Sequence, residues 1–201
     1  NLGRNAIKSI IREREDGGKF ESFSSFCLRM YGKDLNRRAI EALIYSGALD
    51  GLDLNRRQMI TALPSIMAEA ENSGKIIAGG QMGLFGDETE MFSVDVPDLP
   101  EFETADKLSF EKEFTGIYIS GHPLSRYENV ATALKTDKLS DILADSENLS
   151  SKYGDNSRVN ILAIVSSVKK KVTKNNDTMA FLTVEDTTSG IEVIVFSKHY
   201  R

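Results

Sequence analysis

The hydrophobic period of this chain changes once, from the spacing of helices to the alternation of strands, and that change limits what it can fold into. Up to Leu143, apolar residues recur three and four apart. From Arg158 they recur every second residue, with Val159, Ile161, Ala163 and Val165 alternating with Asn160, Leu162 and Ile164. Helices come first and strands last, so the expected fold class is α+β.

The helical part divides at its breakers. Ala6, Ile7, Ile10 and Ile11 form the apolar stripe of a first helix that Asp16-Gly17-Gly18 stops. Residues 22–30 and 37–45 give two more helices, the latter burying Ala39, Ile40, Leu43 and Ile44. Asn55 caps a further helix running through Met59, Ile60, Leu63 and Met67, in which Pro64 predicts a kink or break. From Ala105 a helix is expected to bury Leu108, Phe110, Phe114 and Ile117 and to turn Glu111, Lys112 and Glu113 outward. One or two short helices follow between Tyr127 and Leu143. Strands are expected from Arg158, at 179–185 and at 191–196, with turns at Asn175-Asn176-Asp177 and Asp186 to Gly190.

Charge is distributed unevenly. Residues 1–75 carry 12 Lys/Arg against 10 Asp/Glu, residues 76–156 carry 6 against 16, and residues 157–201 carry 7 against 4. An acidic middle between mildly basic ends confines any nucleic-acid contact to those ends, because the net charge of −5 repels a phosphate backbone. No run of 18 apolar residues and no signal-peptide pattern occurs, so no membrane partner is expected. The single Cys27 rules out an internal disulfide, reads as a small buried hydrophobe, and fits a cytoplasmic location. His122 and His199 have no second ligand or carboxylate at a useful spacing, so no metal site is expected.

Two glycine turns have the spacing of a tandem helix-hairpin-helix. Leu2-Gly3-Arg4 leads into the first helix, and Gly47-Ala48-Leu49-Asp50-Gly51 joins two helices. Such turns aim backbone N–H groups and a helix N-terminus at a phosphate without reading sequence. Gly3, Arg4, Gly47, Gly51, Arg56 and Arg57 are therefore the candidate duplex-DNA contacts, with Arg37 and Arg38 nearby; the alternative is ordinary helix turns with solvated arginines. The strand, basic hairpin, strand, tight turn, strand order after Arg158 is that of the first three strands of an OB-fold. Lys169, Lys170, Lys171 and Lys174 fall in its hairpin region and are candidate single-strand contacts, unless they only keep a solvated edge from pairing. Phe181 and Phe196 are candidates for base stacking or for the core. Between the two parts, Gln81-Met82-Gly83-Leu84-Phe85-Gly86 forms an exposed hook on a stretch rich in glycine and acid.

The resulting layout is an all-α tandem helix-hairpin-helix module at 1–71, an acidic linker at 72–104, a helical connector at 105–156, and a partial OB-fold β-barrel at 157–201. The abrupt start on Asn1 suggests a piece of a longer polypeptide. Several stretches in this order resemble one family: Asn1-Leu2-Gly3 before an Ala-Ile helix; Asn36 to Ile44 running on to Gly47-Ala48-Leu49-Asp50; Gly116-Ile117-Tyr118-Ile119-Ser120-Gly121-His122-Pro123-Leu124; Met179 to Asp186; and Gly190 to Phe196. Together they are similar to the alpha (polymerase) subunit of bacterial DNA polymerase III, in its C-terminal region. The resemblance implies a parent DNA-directed DNA polymerase that uses magnesium, with its catalytic aspartates upstream, so that this segment has neither catalytic residues nor a cofactor of its own. It also implies that Gln81, Leu84 and Phe85 bind the bacterial sliding clamp, the Gln by hydrogen bonds and the Leu-Phe pair in an apolar pocket, and that other replisome subunits are partners. The rival reading is an OB-containing protein-interaction scaffold without a DNA-binding role.

Overall fold

The computed structural model describes residues 3–33, 35–78, 94–146 and 152–200, with the backbone alone for 72–78 and 146. It divides into two compact units, Asn1–Ser120 and Gly121–Arg201. Among the described residues there are seven α-helices and one three-stranded antiparallel sheet, an α+β protein as the change of period requires.

The first unit contains α1 (Arg4–Asp16), α2 (Phe23–Met30), α3 (Arg37–Tyr45), α4 (Arg56–Ala78) and α5 (Thr104–Thr115). Short polar caps start three of them. The Ser22 hydroxyl accepts from the Ser25 N–H, the Asn36 side chain accepts from Ala39, and Asn55 and Gln58 bond reciprocally, each side chain taking the other's backbone N–H. The core gathers Phe23, Phe26, Met30, Leu35, Ile40, Ile44, Met59, Leu63 and Ile66, all nearly or fully buried. Cys27 is buried among them, and desolvation pushes its thiol up to about 12, leaving it inert. Arg29 closes the C-terminal end of α1 through its bonds to the Glu13 carboxylate and carbonyl and to the Gly18 carbonyl, and it lies 4.4 Å from the Phe20 ring centroid.

Three expectations for this unit need correction. On α1, Ala6 and Ile10 turn inward, while Ile7 and Ile11 are exposed. Pro64 does not end α4, which runs on past it to Ala78; its ring is exposed, while Leu63, Ile66 and Met67 stay buried. On α5, Glu111 is fully buried, whereas Ile117 is exposed. The helix ends at Gly116, whose φ of +83° suits a residue without a Cβ, and Ile117 leaves the helical face there. The rest of the expected face holds, with Leu108 buried and Phe110 and Phe114 turned inward. The docking of α5 rests on aromatics: Tyr45 packs against Phe110 and Phe114 with ring centroids 4.6 and 5.0 Å away. Part of the stretch drawn as linker also has structure of its own, since α4 runs to Ala78, and Val94 and Val96 pack against the core.

The second unit contains a 3-10 turn (Ser125–Tyr127), α6 (Glu128–Ala133), α7 (Leu139–Ser146), β1 (Ile164–Val172), β2 (Thr178–Glu185) and β3 (Gly190–Val195), the strands lying in the order β1-β2-β3. The sequence places a strand from Arg158, but β1 begins at Ile164. Asn160 instead exchanges backbone bonds with Asp137, donating to its carboxylate and accepting from its N–H. Asp186 organises the β2–β3 turn, where one carboxylate oxygen accepts from the N–H groups of Thr188 and Ser189. The other oxygen caps α7 by accepting from Leu139 at 2.8 Å. Burial opposes the Asp186 charge, yet these N–H bonds hold its pKa below the usual value. Asp186→Ala is expected to cost about 2 kcal/mol and to speed hydrogen exchange at the Leu139, Thr188 and Ser189 amides, measured by NMR.

Candidate nucleic-acid interface

The turn between α3 and α4 is built around a buried arginine. Gly47 takes φ +79°, and a Cβ there would collide with the Arg56 guanidinium, so the backbone must be bare for Arg56 to pass. Arg56 is 2% exposed. Its Nε and Nη2 each donate to Asp50 at 2.7 Å, its Nη2 reaches the fully buried Glu111 at 2.9 Å, and its Nη1 reaches the Tyr45 carbonyl at 3.3 Å. Asp50 strengthens the guanidinium's hold on its proton, burial opposes it, and Glu111 adds to the strengthening, so the pKa is raised.

This geometry corrects one duplex-DNA assignment. Arg56 cannot serve as a surface phosphate ligand, because two carboxylates of its own chain already surround it. Gly47 likewise serves the packing of Arg56. Gly51, Arg57, Gly3 and Arg4 remain on the surface. Arg37 is half tied to Glu41 through an i, i+4 ion pair at 2.7 Å, while Arg38 beside it is exposed. The structure also reveals a hairpin between α2 and α3 that the sequence reading passed over. Gly32 (φ +80°) donates to the Leu35 carbonyl at 3.1 Å, Tyr31 bridges to Leu35, and Asn36 caps α3. A Gly followed four residues later by a capping Asn is the signal that marked it.

Glu111 is the residue whose role most escaped the sequence. Besides Arg56, its second oxygen accepts from the Ile119 and Ser120 N–H groups, both at 2.8 Å, so one carboxylate fixes α4, α5 and the segment after Gly116. Burial works against its charge, but the Ser120 and Ile119 bonds and then Arg56 outweigh it, leaving the pKa at about 2 against an ordinary 4.5. A depressed carboxylate stabilises the folded state fully above its unfolded pKa and loses that contribution as pH falls from about 4.5 through 2. Glu111→Gln is therefore expected to lose about 3 kcal/mol near neutral pH. The gap from the parent chain should close as pH falls through that window, as urea unfolding at a series of pH values would read out.

In the second unit the sheet sorts the lysines. Lys169, Lys170 and Lys171 lie within β1, not in the hairpin loop where the sequence put them, and only Lys174 is in the turn. Cross-strand partners share a face and neighbours along a strand alternate. Lys169 is opposite Phe181, which is opposite Ile194, and Lys171 is opposite Met179. These residues share one face. Lys170 lies on the other with Ala180 and Val195, its ammonium 5.7 Å from the Tyr200 ring. Phe196, just beyond β3, is 62% exposed. β1 is an edge strand, where lysines also discourage pairing with another chain.

A cleft of about 390 Å³ in this unit is lined by Asp137, Asp186 and Lys138 among others, but both carboxylates already accept bonds from the chain itself. The His122 Nδ1 accepts from the Leu124 N–H within a local turn. Among the described residues no group of three or more His, Cys, Asp or Glu could hold a metal ion, and no helix is long and apolar enough to cross a membrane. Gln81, Leu84 and Phe85 lie outside the described residues.

Comparison with known proteins agrees with the helical geometry. A family model described as a helix-hairpin-helix motif matches residues 1–59. The chain is 34% identical over 210 residues to the DNA polymerase III subunit alpha of Borreliella burgdorferi, covering all of this chain and 17% of that protein. It is 32% identical over 203 residues to the subunits of the same name from Bacillus subtilis and Thermus aquaticus, covering all of this chain and 17% and 16% of theirs. The chain thus spans about one sixth of the length of the curated relatives it matches, and over its whole length it is homologous to a segment of DNA polymerase III subunit alpha.

Proposed function

We propose that this segment holds a DNA polymerase III alpha subunit on its DNA and on a sliding clamp. The whole polypeptide is then a DNA-directed DNA polymerase of the bacterial cytoplasm that extends a primer 5′ to 3′ with magnesium held elsewhere in the chain. The observation that carries this reading is the end-to-end homology to subunits of that name. In this reading the helix-hairpin-helix module contacts the duplex backbone, with Gly3, Arg4, Gly51 and Arg57 exposed at its turns and Arg38 beside the α2–α3 hairpin. Such contacts fix position without reading sequence, which suits a polymerase that must traverse any template.

The β1-β2-β3 meander is read as the opening strands of an OB barrel, and its Lys169, Lys171, Phe181 and Ile194 face as a platform for a single strand. Lysines neutralise phosphates while an aromatic offers a surface to any base. Replacing Lys169 and Lys171 together by Ala is expected to lower the salt slope of single-strand binding by about 1.4, near 0.7 per phosphate contact. Lys170→Ala should change it little, because its ammonium sits by Tyr200 on the opposite face. Fluorescence anisotropy across a salt series measures both, and equal slopes in all three proteins would favour the edge-blunting role.

The clamp contact is assigned to Gln81, Leu84 and Phe85, an aromatic and an aliphatic anchor beside a hydrogen-bonding amide. Tethering to a ring on DNA raises the local concentration of the polymerase at its template, so even a modest contact supports processive synthesis. Leu84→Ala with Phe85→Ala is expected to weaken binding to a bacterial sliding clamp by at least about tenfold, read by surface plasmon resonance. Unchanged affinity would remove the clamp from this proposal. Other replisome subunits are expected as partners of the whole polypeptide.

A further inference from the structure

We infer that residues 94–103 act as an acidic strap that duplex DNA must displace to reach the N-terminus of α4. The inference rests on the duplex-binding reading of the helix-hairpin-helix module.

The first turn of α4 has four backbone N–H groups to satisfy, and the chain satisfies all four itself. Asn55 at the cap donates to the Gln58 side chain, and Gln58 donates to the Asn55 side chain. The remaining two, Arg56 and Arg57, donate to the two carboxylate oxygens of Glu101 at 3.3 and 3.4 Å. A backbone phosphate entering at this turn needs those same two donors. One seat takes one anion, so Glu101 and a phosphate exclude each other.

Glu101 belongs to a segment made for this position. Residues 95–103 carry Asp95, Asp98, Glu101 and Glu103 with no basic residue, and Pro97 and Pro100 keep the backbone extended. The strap is fastened at both ends by apolar contacts, Val94 and Val96 on the core and Phe102 against Phe110 with ring centroids 5.2 Å apart. Between them the polar fastenings come from α4 and its cap: Asn55 donates to the Leu99 carbonyl at 2.8 Å and Gln58 to the Pro97 carbonyl at 3.4 Å. Most of these polar contacts are long, so the middle of the strap is held weakly enough to yield to a phosphate backbone that also gains the exposed Arg57. Its other acids add repulsion against any DNA approaching this face.

The test compares three forms of the 201-residue chain binding a short duplex across a salt series. One is unchanged, one carries Asp95→Asn, Asp98→Asn and Glu101→Gln, and a control carries Glu128→Gln, Asp141→Asn and Asp155→Asn, the same charge change placed elsewhere. The strap variant is expected to bind about fivefold tighter than the control. With saturating duplex on the unchanged chain, amide exchange should slow at Arg56 and Arg57 and quicken at Glu101 to Glu103. Equal affinity of strap variant and control, or duplex bound with exchange at Glu101 to Glu103 unaltered, would overturn the strap while leaving duplex binding intact. If no form binds duplex even at low salt, the duplex-binding reading fails and the strap falls with it.

Discussion

The helical unit depends on one buried charge pair, Arg56 with Glu111, 2.9 Å apart and shut away from solvent. Burying two charges is expensive, so the pair need not add net stability over apolar residues of the same shape. Its effect is on arrangement. Either partner without the other would be an uncompensated charge in the interior, and avoiding that requires the α3–α4 turn, the start of α4, α5 and the Ile119-Ser120 backbone to converge on one place. The bare backbone at Gly47 follows from the same need, because the guanidinium occupies the space a side chain would take.

That arrangement also decides which groups remain to meet an anion. A glycine turn and a helix N-terminus bind phosphate only through donors that the protein has left unused. Here two carboxylates surround Arg56, while Asn55 and Glu101 take the first donors of α4. The cations left at the surface of the module, Arg4, Arg38 and Arg57 among them, stand outside this closed centre. The N-terminus of α4 therefore already holds an anion of its own chain, kept there by long contacts.

In the sheet the same logic takes another form. A run of three lysines reads as a single basic cluster in sequence, yet the alternation of a strand sends the middle one to the opposite face from its neighbours. The register then places Lys169 beside Phe181 and Ile194, joining charge to an apolar and aromatic surface from two further strands.

Much of this was written in local sequence. The cap at Asn55, the limits of α3, the turn from Asp186 to Gly190 and the change of period that makes the protein α+β all follow from short-range rules, because a cap, a glycine or an alternation acts within a few residues. The homology was legible too, carried by motifs such as Asn36 to Asp50. Local rules gave no warning that Glu111 turns inward or that Arg56 serves the interior, since each looks like an ordinary surface charge until a partner 55 residues away is brought to it. Nor did they show that Asn160 bonds to Asp137 instead of extending β1, or that Glu101 lies on the N-terminus of α4. Sequence by itself determined the elements and their family; the tertiary structure alone decided which charges face each other, because the pairing of distant charges is settled only when packing sets the distance between them.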